Sequence, residues 1–260
     1  MGNILETIAE DTRKRIALQK ERIPLRQVQE KAEQQTGAAG RFQGALQKEG
    51  LSFICEVKKA SPSKGVMVKD FQPLAIAGDY LAAGADALSV LTEPKYFLGA
   101  DAYLKEIVSN VELPALRKDF TVDEYMLYEA KALGASAVLL IVAILPQEDL
   151  VRYLRTAEKL GLDALVETHD GEEIRRAADA GAKIIGINNR DLKDFSVSIE
   201  HSIALRHLIP EEAVFVSESG IHTEGDIRRL KECGTDAVLV GEAMVTSIDK
   251  AGALERFRNA

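Results

Sequence analysis

Short, nearly continuous apolar runs alternate along this chain with longer stretches in which apolar residues return every three or four positions. The first kind reads as buried strand and the second as amphipathic helix. A recurring phrase marks the junctions: "AAGADALSV" from Ala82, "ALGASAVLL" from Ala132, "KLGLDALVE" from Lys159, "DAGAKIIGI" from Asp179 and "ECGTDAVLV" from Glu232. In each, a helix ends, a glycine closes it in the left-handed conformation, and an apolar strand begins. Filling the gaps predicts strands near 51–58, 86–91, 113–118, 137–142, 163–167, 183–188, 213–218 and 236–240. Helical patterns follow them, such as "DEYMLYEAKAL" and "GEEIRRAADA". Apolar strands alternating with helices imply parallel pairing with both faces covered. Eight such units predict an α/β fold, a (βα)8 TIM barrel, rather than an open doubly wound sheet.

Residues 1–48 lie outside the repeat. "ILETIAEDTRKRIALQKE" and "PLRQVQEKAEQQ" read as helices, with Pro24 in a first helical turn. The expectation is a single barrel domain over 1–260 whose helical N-terminal extension caps the barrel floor or crosses one rim. The length of 260 residues suits one such barrel, which typically needs about 250.

Alternate side chains of a strand share a face. In "FICEVKKASPSKG", Ile54, Glu56 and Lys58 share one face and Phe53, Cys55 and Val57 the other. The second set suits contact with surrounding helices. The first points into the barrel and becomes charged toward the carboxyl end, where barrel enzymes place their chemistry. The same parity pairs Leu116 with Lys118, Leu165 with Glu167, Gly186 with Asn188, and Val216 with Glu218. Glu56, Lys58, Lys118, Glu167, Asn188 and Glu218 are therefore expected to converge on one mouth, with Arg190 just beyond. Lys59, of opposite parity, is expected to point away. Unpaired buried charges are costly, so a mixed-sign set agreeing in parity predicts mutual pairing and acid–base chemistry.

Composition narrows the partners. A net charge of −8 argues against nucleic acid, and the longest apolar run, "AVLLIVAIL", is too short to span a bilayer. With no signal peptide in the opening residues, a cytoplasmic protein is expected. Cys55 and Cys233 form no CxxC pair, and the four histidines are scattered, only His169 falling near the mouth, so no metal site is expected. A small anionic ligand remains compatible. The turns "SESGIHTEGDI" and "VGEAMV" place Gly220 and Gly241 where backbone N–H groups approach an anion, with a short helix from Glu242 behind. Loops after strands seven and eight form a recurring phosphate site of this barrel. "SPSKG" lacks the lead-in glycine of a Walker A loop, so nucleotide is not indicated.

"EVKKASPSKG", "LTEPKYFLG", "LRKDF", "LVETH", "IGINNRDL" and "VSESGI" together resemble the indole-3-glycerol phosphate synthase family of tryptophan biosynthesis, in its order and over essentially the whole chain. The resemblance implies a cofactor-free carbon–carbon lyase (EC 4.1.1.48) acting on 1-(2-carboxyphenylamino)-1-deoxyribulose 5-phosphate, expected to work as a monomer. Lys118 would be the general acid for ring closure and Glu167 the base or proton shuttle for dehydration. Lys58 would hold the substrate carboxylate and assist the leaving hydroxyl, and Glu56 would orient both lysines. Asn188, Arg190, Glu218 and Ser219 would position sugar and carboxylate. Ser61, Gly220, Gly241 and the backbone at Glu242 would take the phosphate, and Phe97 and Leu116 would wall the aromatic ring. A lysine acid works best when its pKa is lowered; Lys58 pushes that way and Glu56 opposes it. Ala100 departs from the family's usual hydroxyl residue after "FxG", Gly40-Arg41-Phe42 stands where "RDF" is common, and "GEAM" replaces a frequent serine. The alternatives are another phosphosugar isomerase or epimerase barrel, which lacks the "EVKK…SPSKG" and "LRKDF" pair, and a non-catalytic phosphometabolite-binding barrel.

Overall fold

The computed structural model describes residues 4–36, 39–191 and 196–260. Residues 1–3 and 37–38 of the expected extension, and Leu192 of "IGINNRDL", lie outside them. Eight parallel strands close into a barrel in sequence order: β1 (Ser52–Val57), β2 (Ala87–Leu91), β3 (Ala115–Lys118), β4 (Ala137–Ile141), β5 (Asp163–Thr168), β6 (Ile184–Asn188), β7 (Val214–Glu218) and β8 (Ala237–Val240). β1 pairs with both β2 and β8, which completes the ring. Each strand is short and mostly buried because both its faces are covered, by neighbours inside and helices outside.

The outer layer is α4 (Pro73–Ala82), α5 (Asp101–Asn110), α6 (Tyr125–Leu133), α7 (Gln147–Lys159), α8 (Gly171–Asp179), α9 (Glu200–Leu205), α10 (Glu224–Glu232), α11 (Glu242–Val245) and α12 (Lys250–Asn259). The five glycines of the recurring phrase all adopt positive φ, as the helix-ending turn requires. Outward-facing Phe53 stacks on Phe257 of α12, ring centroids 6.4 Å apart, so the parity assignment of β1 holds.

Three helices precede the barrel: α1 (Ile4–Arg22), α2 (Leu25–Glu33) and α3 (Arg41–Leu46). They do both things expected of them as alternatives. α1 crosses the carboxyl-end rim, where Arg15 donates to Asp119 at 2.8 Å and Lys95 and Tyr96 reach Asp11 at 2.6 and 2.7 Å. α3 closes the floor: Asp163, at the start of β5, accepts from the Phe42 and Gln43 N–H groups at 3.0 and 2.9 Å. Pro24 is the N-cap of α2, one position before the first turn assigned to it, with the extended ψ of 148° that precedes a helix.

Beneath the α1 crossing lies a buried charge network. Arg117, with only 2% of its side chain exposed, bonds Asp101 at 2.8 Å and Glu129, and lies 3.7 Å from Asp119. Burial alone would weaken the Arg117 cation, but these carboxylates raise its pKa further, so it is locked charged. Among the described residues no helix is long and apolar enough to cross a membrane.

Candidate active site

Strand parity delivers the expected convergence. A cavity of about 500 Å³ opens at the carboxyl end of the barrel, and Glu56, Lys58, Lys118, Glu167, Asn188, Arg190 and Glu218 all line it. Its size is that of a small-molecule site. Lys59 is not among its lining residues.

Two ion-pair groups organise the charges. Lys118 Nζ donates to Glu167 Oε2 and to Glu218 Oε2, each at 2.8 Å. Lys58 Nζ donates to Glu56 Oε1 at 2.8 Å. Burial pushes the Lys118 ammonium toward neutrality, but Glu167, Glu218 and Glu56 outweigh it and raise its pKa well above the ordinary lysine value. The carboxylates thus win the contest that the sequence left open, and Lys118 rests as a proton-loaded acid. The two glutamates diverge. Burial raises Glu167, but Lys118 and then His169 overcome it and hold the carboxyl down near 2. Burial likewise raises Glu218, which Lys118 only partly offsets and the Glu167 charge reinforces, bringing it to about 7. One carboxylate is therefore firmly ionised and its neighbour titrates near neutrality.

The backbone makes room for this. A Cβ on Gly186 would fall 2.3 Å from Glu218 Oε1, so a side chain there would displace the carboxylate. Glu218 Oε1 is buried with no hydrogen-bond partner among the described residues, an acceptor left open beside the lysine.

On the other side, Ser219 (φ 69°) and Gly220 (φ 77°) are consecutive left-handed residues. A non-glycine residue adopts this conformation only when held. Asn189, itself buried, does the holding through Nδ2 donated to the Ser219 carbonyl and to Ser217 Oγ, both at 3.0 Å. The sharp turn brings Ser219, Gly220, Ile221 and His222 to the cavity, facing Gly241 and Glu242 at the start of α11 and Ser61 from the first loop. That loop is a hairpin, Ala60–Ser61 against Gly65–Val66, and its Lys64 pairs with Glu242 at 3.2 Å. What Glu242 offers an anion is thus its backbone N–H; its carboxylate already holds a lysine.

The apolar wall differs in one respect from expectation. Phe97 lines the cavity, but Leu116 does not: it is fully buried one layer below Lys118, in the barrel core. Leu91, Phe120, Leu139 and Ile141 form the wall instead, joined by Ile4, Leu5 and Ile8 of α1. The sequence reading also missed Glu93. Its buried carboxylate accepts from the backbone N–H groups of Lys95, Tyr96 and Phe97 at 3.0, 2.6 and 3.0 Å and thereby fixes the loop that presents Phe97. A glutamate before a Pro-Lys-Tyr turn is a signal that could have found it. His169 sits behind the site, its Nε2 3.4 Å from Glu167 Oε1 and its Nδ1 3.1 Å from Glu173. His169 was the only histidine expected near the mouth, but exposed His222 also lines the cavity rim. Among the described residues no group of three or more His, Cys, Asp or Glu could hold a metal ion.

The chain is similar to known proteins over nearly its full length. The family model described as indole-3-glycerol phosphate synthase matches residues 5–257. The indole-3-glycerol phosphate synthase of Lachnoclostridium phytofermentans is 48% identical, covering 95% of this chain and 96% of its own. That of Ruminiclostridium cellulolyticum is 46% identical over 99% of both chains. Among solved structures, 3-hexulose-6-phosphate synthase from Salmonella typhimurium superposes with a TM-score of 0.66 over 80% of this chain and 97% of its own. At 16% identity that match shows the barrel fold alone. Full-length agreement of this kind leaves one assignment: the chain belongs to the indole-3-glycerol phosphate synthase family.

Proposed function

We propose that the charged mouth performs the family's reaction through a division of labour between two lysines and a glutamate. The enzyme is a carboxy-lyase: it closes the ring of 1-(2-carboxyphenylamino)-1-deoxyribulose 5-phosphate with loss of carbon dioxide, then of water, to give indole-3-glycerol phosphate. The observation that carries the reading is Lys118, held 2.8 Å from each of two carboxylates at the base of the cavity. In this reading Lys118 protonates the ribulose carbonyl oxygen as the ring carbon attacks. The substrate carboxylate leaves as carbon dioxide, and its bonding electrons restore the aromatic ring. Glu167, kept ionised by its cationic neighbours, then removes the proton from the carbon next to nitrogen while Lys58 protonates the departing hydroxyl. The Lys118–Glu167 contact returns the proton taken by Glu167 directly to Lys118. Lys58 recharges from solvent, since loss of a carboxylate as carbon dioxide and a hydroxyl as water consumes one proton per turnover.

Lys58 and Arg190 hold the substrate carboxylate, Glu56 orients Lys58, and Asn188 and Ser219 position the sugar. The Ser219–Gly220 turn, Ser61 and the backbone at Gly241–Glu242 take the phosphate. Phe97 and the leucines beside it wall the aromatic ring. The mouth draws side chains from strands all round the barrel, from Glu56 to Leu239, which supports a single domain. Glu167→Gln separates the two stages. In single-turnover experiments it is expected to release carbon dioxide while indole fluorescence lags by about 10²-fold or more. Equal loss of both signals would remove Glu167 from the dehydration step.

A further inference from the structure

A second cavity, of about 250 Å³, lies at the floor of the barrel, away from the mouth. It is enclosed by the end of α2, the start of α3, the last turns of α5 and α6, and the entry to β4. Arg41, Lys105 and Lys131 line it, and among the described residues no aspartate or glutamate does. In a chain with 41 acidic and 33 basic residues, that segregation is against composition.

Lys131 is the informative residue. It is only 7% exposed, yet among the described residues it makes no ion pair and no side-chain hydrogen bond. Burial lowers its pKa, and no carboxylate stands by to counter that. Its stem is packed away while its ammonium reaches the cavity with no carboxylate beside it, open to an anion. Arg41 and Lys105 are exposed at the rim, and Arg41 donates to the Glu112 carbonyl at 2.8 Å. The C-terminal ends of α5 and α6 also face this region. Each contributes about half a negative charge at most, and the last α6 carbonyls are already capped by Gly134 and Ala135 N–H groups at 2.9 and 3.0 Å. Three cations exceed what two helix ends neutralise.

We propose that this cavity binds a small multivalent oxyanion of the phosphate class, with Lys131 at its base and Arg41 and Lys105 at its rim. Its volume falls below the range of about 300–1,000 Å³ usual for larger ligands, which limits the occupant to an ion or a small phosphate monoester. Gln35, Thr36 and Ser136 supply neutral hydrogen-bonding groups around the cations. Because the site lies at the opposite end of the barrel from the mouth, its ligand stabilises the fold by binding the native state and leaves turnover unchanged. The proposal stands independently of the chemistry assigned to the mouth.

Calorimetric titration of the full chain with inorganic phosphate tests it. The wild type is expected to show two classes of site, and Lys131→Met to keep only the class that competes with substrate, with kcat and KM unaltered. Arg41→Gln is expected to weaken the floor class by about tenfold or more, and Lys131→Arg to retain it, so the test survives if the methionine variant folds poorly. Glycerol 3-phosphate in place of phosphate tells a monoester site from a free-ion site. An isotherm of Lys131→Met and Arg41→Gln that matches wild type, or a wild type whose phosphate is entirely displaced by substrate, would overturn the proposal.

Discussion

Lys58 and Lys59 are adjacent in sequence and opposite in surroundings. Lys58 faces into the cavity, 2.8 Å from Glu56, whereas Lys59 does not line it. Lys58→Ala is expected to lower kcat/KM by about 10²-fold or more. Lys59→Ala is expected to stay within about twofold, the effect of an ordinary surface change. Steady-state kinetics on the two variants checks both, and comparable losses would overturn the inward assignment of Lys58. Glu218 gives a pH signature. Its carboxyl is protonated below about 7 and ionised above. Ionisation adds a negative charge beside Lys118, makes that lysine hold its proton more tightly and weakens it as an acid. The expected result is a fall in kcat/KM as pH rises through about 7, a limb that belongs to the coupled Glu167–Glu218 pair. Glu218→Gln is neutral at every pH and should flatten the limb; a limb unchanged in that variant would assign it to another group.

At the scale of elements, α5 carries a defect that the sequence exposes. Its N-cap is Ala100, extended at φ −158° and ψ 145°, with no side-chain cap. Supplying a hydroxyl with Ala100→Ser is expected to raise stability by about 1 kcal/mol, read as a higher urea midpoint at unchanged slope. By contrast, α8 and α10 have working caps, Asp170 and Thr223, the latter in a capping box. The strands were legible to within a residue or two because each is a buried run, five of them preceded by the recurring glycine turn, signals that are local in sequence. The charged mouth was legible because side-chain parity is a local property too. The path of α1 was not. Its docking rests on Arg15–Asp119 and Lys95–Asp11, pairs separated by 104 and 84 residues, and no periodicity within α1 records such partners. Leu116 was misplaced for a related reason: parity gives the face but not the depth, and one step down the strand separates cavity wall from core.

For the molecule as a whole, the barrel sets six charged or polar side chains, at the ends of five strands, facing one another and sets the phosphate turn of Ser219–Gly220 against α11. A chain of net charge −8 thereby presents cations where an anionic substrate needs them. The central claim is that Lys118, held charged by Glu167 and Glu218, is the acid that starts the reaction. The direct measurement is indole fluorescence during turnover of 1-(2-carboxyphenylamino)-1-deoxyribulose 5-phosphate by wild type and Lys118→Ala, with circular dichroism to verify that the variant is folded. The account predicts that wild type forms the indole product and that folded Lys118→Ala loses about 10²–10⁴-fold in kcat. A folded Lys118→Ala that turns over at the wild-type rate would contradict it.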